Sequence, residues 1–250
     1  MKHVGSAALL VGILVSSAPV AAKKEKAPKS PPPACGFKSI PLALGNVWTY
    51  KSGSGTVLIR VADVTEGKGA DGDEVEIKVE EKYQDRATEV VFTCSEKKGL
   101  VIPPGSFFFA GEPGGAVAAE VKVTKHDSVS LVPDKEIKSG AGWVDKVYGE
   151  VVRADVSGQG AQHKPAKFEV ERHVTVASSE VVELKMGRAT AQRIDFELRG
   201  RGVVENEKSE IPIKRPGAIF LLKGLGILKI DDAFDRTWEL VSTNVPFKKK

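Results

Sequence analysis

Apolar and polar residues alternate one by one along most of this chain, which is the pattern of β-strands that bury a single face. The clearest example is segment 75–83, in which apolar residues alternate with glutamates and lysines. Similar alternation occurs in segments 88–94, 117–123, 168–176 and 194–198, and further strands are predicted at 48–51, 56–64, 144–155, 202–206, 225–231 and 237–242. The pattern therefore predicts about ten or eleven strands.

Because each strand has one apolar and one polar face, the segments fit a single curved antiparallel sheet, either an open half-barrel or a closed barrel. Glycine-rich stretches at 53–55, 67–72 and 158–160 supply turns between the strands. No segment shows a long apolar stripe with helical spacing, so helix is expected only in short pieces near 107–111 or 216–222. The predicted fold is mainly β, with a short helical or loop plug.

Two apolar clusters do not follow the strand alternation. The first is Phe107, Phe108 and Phe109, which follow a Pro-Pro-Gly turn, and the second surrounds Phe220 at 219–222. Apolar loops in a water-soluble protein need cover, and the concave side of a curved sheet offers it. The clusters are predicted either to pack as core or to line a cavity for an apolar ligand.

Arg172 breaks the alternation because it occupies an apolar position between Val170 and Val174. A charge at such a position needs a partner or an opening to solvent. Two interpretations stay open: a rim position or register irregularity of the strand, or a contact with an anionic lipid headgroup or ligand carboxylate. The predicted ligand-binding residues are Phe107, Phe108, Phe109, Arg172 and Phe220.

Residues 1–22 have the features of a secretory signal peptide, with Lys2 near the start, a short apolar run, and small residues up to Ala22. The apolar run is shorter than the roughly 20 residues that span a bilayer, so cleavage after Ala22 is expected and no transmembrane segment is predicted. The mature protein is then exported to the periplasm or the extracellular space. Residues 23–36 form a Lys- and Pro-rich tether that is predicted to be disordered, followed by a β domain over 37–247 and a basic tail at 248–250.

The chain has two cysteines, Cys35 and Cys94. In an oxidising compartment such a pair is most simply a disulfide, and its spacing fits neither a redox motif nor a zinc site. Cys94 shares a strand face with Val90 and Phe92, so its sulfur is predicted to face the core. Acylation of Cys35 is the alternative, although the charged and Pro-rich residues before it differ from the usual sequence at such a cleavage site.

The formal net charge of +4 is concentrated in the tether and the C-terminal tail, and the β domain between them is slightly acidic. Nucleic-acid binding needs basic residues clustered on one face, so no nucleic-acid partner is expected. None of His126, His163 and His173 has a partner at metal-ligand spacing, and the sequence has no nucleophile elbow or phosphate-binding loop. We therefore expect no metal, no cofactor and no enzymatic activity; a hydrolase using His126 and Asp127 is the remaining catalytic hypothesis.

Three short motifs lie at the ends and in the middle of the predicted domain. Segment 41–50 reads PLxxGxxWxY, with Trp48 and Tyr50 as its aromatic residues, and segment 224–229 reads GxG-aliphatic-aliphatic-Lys. Segment 182–189 is similar to a VxVPAGxF hairpin but departs from it at three positions. Together these motifs resemble a broad group of bacterial exported proteins of unknown function, which look like the open β half-barrel of periplasmic lipoprotein carriers. The resemblance implies lipid or lipoprotein handling.

The expected function is that of an exported cell-envelope protein that binds a lipid or another apolar ligand, without catalysis, on the concave face of the sheet. The alternative is a structural or protein-binding envelope component with a filled core and no small-molecule ligand. We also expect a monomer whose partner is either a lipid or acyl ligand or another envelope protein.

Overall fold

The computed structural model describes residues 32–53, 55–69, 72–113, 119–154, 166–204 and 210–246. The predicted signal peptide 1–22, the tether up to residue 31 and the basic tail 248–250 lie outside these ranges. Within them, the chain forms one antiparallel sheet of 12 strands and one four-residue α-helix. The same ranges contain no helix that has both the length and the apolar character needed to cross a membrane.

The helix, α1, spans Phe107–Ala110 and follows the fifth strand. The strands are β1 (Val47–Ser52), β2 (Gly55–Gly69), β3 (Gly72–Tyr83), β4 (Arg86–Ser95), β5 (Gly99–Val101), β6 (Ala119–His126), β7 (Gly142–Ala154), β8 (Ala166–Leu184), β9 (Gly187–Val204), β10 (Glu210–Leu222), β11 (Gly226–Asp231) and β12 (Thr237–Thr243). The predicted helix near 107–111 is therefore confirmed, and so is the mainly β fold.

The strand order across the sheet is β5-β4-β3-β2-β1-β12-β11-β10-β9-β8-β7-β6. Two meanders, β1 to β5 and β6 to β12, thus meet where β1 pairs with β12. The sheet is not closed, because β5 and β6 do not pair with each other. A single bridge from Leu100 in β5 to Leu131, in the segment after β6, connects the two edges. The open half-barrel is therefore the correct one of the two predicted forms.

The apolar strand faces point to the interior of the curve. Trp48 and Tyr50 of β1 are fully buried there. The indole N–H of Trp48 donates to the carbonyl of Leu225 at 2.8 Å, and the Tyr50 hydroxyl donates to the carbonyl of Ile227 at 3.0 Å. Burial raises the pKa of Tyr50. Each large aromatic residue thus buries its ring without leaving its polar atom unpaired.

Two glycines on the concave face let the long strands curve. A Cβ at Gly149 would lie 2.5 Å from the ring of Phe168, and one at Gly217 would lie 2.2 Å from the ring of Phe196. Each phenylalanine is the cross-strand partner of its glycine. The ring fills the space that a side chain would otherwise occupy. A glycine paired with an aromatic residue in this way lets a sheet bend while its backbone stays shielded from water.

The prediction of a helix or an irregular apolar loop at 216–222 is wrong, because this segment belongs to β10. Ile219 and Leu221 point into the interior of the sheet. Phe220 points to the opposite face, where the ammonium group of Lys229 lies 4.8 Å from its ring and the guanidinium of Arg193 lies 5.8 Å from it. Both faces are covered here, so the segment has no apolar–polar alternation to mark it as a strand.

A 3₁₀ turn at Ala34–Gly36, assigned by sequence to the tether, packs against the first meander. Cys35 in this turn forms a disulfide with Cys94 of β4, with the Cα atoms 6.1 Å apart. Cys94 is buried, as predicted. The predicted disulfide is confirmed, and in this structure it leaves the sulfur of Cys35 unavailable for acylation.

Candidate functional site

The helix α1 fills the interior of the sheet. Its three phenylalanines, Phe107, Phe108 and Phe109, are each at most 3% exposed. The ring of Phe108 meets those of Trp48 and Tyr50 edge-on, with centroids 6.0 Å away in each pair. Edge-to-face contacts of this kind are favourable beyond the area they bury. The structure thus places the predicted phenylalanine cluster in the core as a plug.

The N-terminal end of α1 is held by a buried carboxylate from β3. Glu81 is 2% exposed, and its carboxylate accepts hydrogen bonds from the Ser106 hydroxyl at 2.5 Å and from the backbone N–H of Phe107 at 2.9 and 3.0 Å. The Ser106 hydroxyl in turn accepts from the N–H of Phe108 at 3.2 Å. These hydrogen bonds satisfy backbone N–H groups at the start of the helix, which have no partner within it. They fasten the start of the plug to the first meander.

The C-terminal end of α1 is held by a buried guanidinium from β8. Arg172 is 3% exposed, and it donates to the carbonyl of Phe109 at 2.6 Å and to the carbonyl of Ser130. The guanidinium also lies 4.7 Å from the centroid of the Phe109 ring. Burial lowers the pKa of Arg172, and the charge of Asp145 opposes that effect. Arg172 thus fastens the plug to the second meander, while Glu81 fastens it to the first.

The charge of Arg172 is balanced by Asp145, its cross-strand partner on β7, with a nitrogen–oxygen distance of 3.7 Å. Asp145 is fully buried and lies 2.6 Å from Nε2 of His126. Burial raises the pKa of Asp145, but the hydrogen bond with His126 and the charge of Arg172 outweigh it, so the pKa lies below its usual value. The anionic contact predicted for Arg172 is therefore made, within this structure, by the protein's own carboxylate.

The surroundings of Asp145 do not have the geometry of a catalytic triad. His126 and Ser128 both contact the same oxygen of Asp145, at 2.6 and 3.3 Å. A triad needs the imidazole between the carboxylate and the nucleophile. Asp127, the residue that the hydrolase hypothesis paired with His126, forms its ion pair with Lys125 at 2.6 Å. His173 lies beside Glu171 on the outer face, and His163 lies outside the described residues.

A small cavity remains beside the plug. Its volume is ≈ 20 Å³ for the centre of a water-sized sphere. Its walls are formed by apolar residues of β7 to β11 and of the segments before β1, after β5 and after β6, together with Ser130, the ring of Phe108 and the side chain of Arg172. A volume of about 10–15 Å³ on this measure holds one water, so the cavity holds about one water molecule and no acyl chain. Of the predicted ligand-binding residues, Phe108 and Arg172 line it, whereas Phe107, Phe109 and Phe220 do not.

Beyond the plug, the sheet continues as five strands. Residues 210–217 of β10 pair with β9 but have no partner on β11, so β6 to β10 extend past the filled interior. We call this part of the sheet the open end. On its concave face lie four partly exposed apolar residues, which we call the apolar row: Phe168, Val170, Leu198 and Ile213. The strand registers place these residues on the concave face, because they lie on the same side of the sheet as Arg172. Arg172 is two residues beyond Val170 on β8 and lines the cavity.

The convex face of the open end carries charges that pair with one another. Lys146 contacts Glu171 at 2.7 Å and Glu169 at 3.2 Å, and Arg201 contacts Glu169 at 3.6 Å and Glu210 at 3.2 Å. The hydrogen bond with Glu171 is the main cause of a raised pKa of Lys146. The open end therefore has a charged outer face and an apolar inner face.

The sequence analysis missed the two carboxylates that matter most for the plug, Glu81 and Asp145. A signal for each was present, because Glu81 occupies an apolar position between Val79 and Tyr83 of β3. Asp145 similarly follows Trp143 and precedes Val147 on one face of β7. Buried acidic residues at such positions must have partners. No pattern in the sequence names those partners, because they come from distant strands.

Comparison with solved structures finds folds similar to this one. A candidate exported protein with a YmcC-like fold from Bacteroides fragilis has a TM-score of 0.48 and 13% identity, covering 82% of this chain and 98% of that chain. A candidate lipoprotein from Parabacteroides distasonis has a TM-score of 0.48 and 11% identity, covering 83% and 99%. No family model matches the sequence, and no curated protein matches it. The functional argument therefore depends on the geometry above.

Proposed function

We propose that this protein binds an apolar chain, such as the acyl chain of a lipid, on the concave face of its open end. The observation that supports this is the apolar row of Phe168, Val170, Leu198 and Ile213, which is partly exposed on the inner face of a sheet whose outer face is charged. A partly exposed apolar concave surface is a common feature of ligand-binding sites. The proposed role is non-catalytic.

The location of the ligand differs from the one that the sequence favoured. Phe107 and Phe109 are core residues of the plug, and the cavity beside Phe108 is too small for an acyl chain. The ligand would instead lie on the open end, with Arg172 at the boundary between filled and open parts. The predicted signal peptide and the disulfide support an exported location, because disulfides persist in oxidising compartments.

A second function is favoured by the filled interior. With α1 fastened at both ends and a cavity of ≈ 20 Å³, the filled part of the sheet has the features of a solid core. In this case the protein would be a structural or protein-binding component of the cell envelope. The apolar row would then contact another protein instead of a lipid.

Native mass spectrometry of the mature protein after gentle purification tests the first function, together with thermal unfolding in the presence of lipids. A co-purified lipid, or a rise in Tm with added lipid, is the expected result. Ile213→Gln and Leu198→Gln should weaken this binding, because each places an amide in the apolar row. Val203→Gln is the matched control, since Val203 is 37% exposed on the convex face of β9. A protein that carries no lipid and shows no lipid-dependent shift would favour the second function.

A further inference from the structure

Arg215 lies on the concave side of β10, at the border of the apolar row. It follows Ile213 of that row and precedes Gly217, whose Cα faces the ring of Phe196 in the cavity wall. Its cross-strand partner is Leu198, which pairs on its other side with Arg172. The side chain of Arg215 is exposed. A cation therefore stands at the rim of the proposed lipid-binding face.

Arg215 differs from the other arginines near the open end in having no carboxylate partner among the described residues. The paired ones are Arg172 with Asp145, Arg199 with Glu197, Arg201 with Glu210, and Arg236 with Asp232. The contact that the structure gives Arg215 is with the ring of Phe234, whose centroid lies 5.9 Å from the guanidinium carbon. Its charge is thus available to a ligand.

Phe234 is half exposed, at 50%, in the turn between β11 and β12. The turn is fixed by Asp232, which accepts a hydrogen bond from the N–H of Phe234 at 2.8 Å. Arg236 also lies near the Phe234 ring, at 5.3 Å, but its charge is matched by Asp232 and Glu112. An exposed aromatic ring is therefore held beside one unmatched cation.

We propose that Arg215 and Phe234 form a headgroup site for an amphiphile with one anionic head, a carboxylate or a phosphate, and one apolar chain. The proposal depends on the proposed function, because the chain would lie on the apolar row while the head contacts Arg215. From β10 to β8 the row crosses two interstrand spacings, or about 10 Å of apolar surface. A guanidinium suits this role because it donates to carboxylate and phosphate oxygens in a bidentate way.

Isothermal titration calorimetry of the mature protein with dodecanoate, dodecyl phosphate and 1-dodecanol tests the site. The two anions should bind more tightly than the alcohol, and the tighter anion identifies the head. Arg215→Gln should weaken binding of that anion about tenfold, the loss of one charge-assisted contact, and leave 1-dodecanol binding unchanged. Arg215→Lys should restore part of the preference, because it keeps the charge but not the bidentate geometry.

Arg199→Gln is the matched control, since Arg199 lies on the convex face of the neighbouring strand β9. If this variant weakens anion binding as much as Arg215→Gln does, the effect is one of general charge and the headgroup site is refuted. If the anions and 1-dodecanol bind equally well to the wild-type protein, the site is refuted and the proposed function stands. If none of the three probes binds, the proposed function itself fails.

Discussion

Replacing Phe108 by alanine should reveal how much of the stability depends on the plug. The side chain is 1% exposed, meets the rings of Trp48 and Tyr50 edge-on, and lines the existing cavity. Truncation of a buried phenylalanine to alanine lowers the free energy of unfolding by about 3–5 kcal/mol. Because aromatic contacts are also lost here, we expect a loss of about 4 kcal/mol. For a domain of this size the same loss lowers Tm by about 10 °C.

The measurement is equilibrium unfolding in guanidinium chloride with the disulfide intact, followed by circular dichroism and tryptophan fluorescence. Phe234→Ala is the matched control, because Phe234 is 50% exposed and its truncation should change the unfolding free energy by less than about 1 kcal/mol. The Phe108→Ala variant should also gain stability from benzene, since the enlarged cavity is apolar. A loss below about 1 kcal/mol for Phe108→Ala would refute the plug as a core element.

Three more predictions concern the fastening of the fold. The pKa of Asp145 is lower in the folded state than its usual value of 3.8. The ionised carboxylate should therefore stabilise the folded protein fully above pH 3.8. This stabilisation is lost as the pH falls through the folded-state pKa. Acid unfolding of Asp145→Asn, compared with wild type, should therefore show a weaker pH dependence below about pH 4, together with a stability loss of about 3–5 kcal/mol at neutral pH because Arg172 is left buried and unpaired. Arg172→Met should remove the hydrogen bond to Phe109 and accelerate amide hydrogen exchange in α1, and unchanged exchange would contradict the fastening role. Reduction of the Cys35–Cys94 disulfide, which joins residues 59 apart in the sequence, should lower the unfolding free energy by about 4 kcal/mol in thermal or chemical denaturation.

The strands with one covered and one wet face could be predicted from sequence, as β3 and β4 show. Each has a period-two pattern that depends only on which side meets water. The segment around Phe220 could not be assigned in this way, because both of its faces are covered. Whether the sheet closes also cannot be derived from periodicity, since closure depends on contacts between β5 and residues near Leu131.

In the site, too, features that depend on neighbouring residues in the sequence could be predicted, whereas contacts between distant strands could not. Arg172 could be singled out from sequence because a charge interrupted an apolar face. Its partner could not, because Asp145 lies 27 positions earlier in the chain and reaches Arg172 only through the β7–β8 register. The location of the apolar row likewise depends on where β10 extends beyond β11, which is a property of strand lengths.

The pairing of β1 with β12 has a consequence for how the molecule assembles. Trp48 lies opposite Thr243 in that pair, so the first and last strands join at the middle of the sheet. Each meander can form from hairpins of strands that are adjacent in sequence, but β1 can pair with β12 only when nearly the whole chain is present. Contacts so distant in sequence make acquisition of the native state slow. Until β12 is present, β1 keeps one edge with unpaired backbone groups, so this edge is the part of the folding chain most open to incorrect strand pairing.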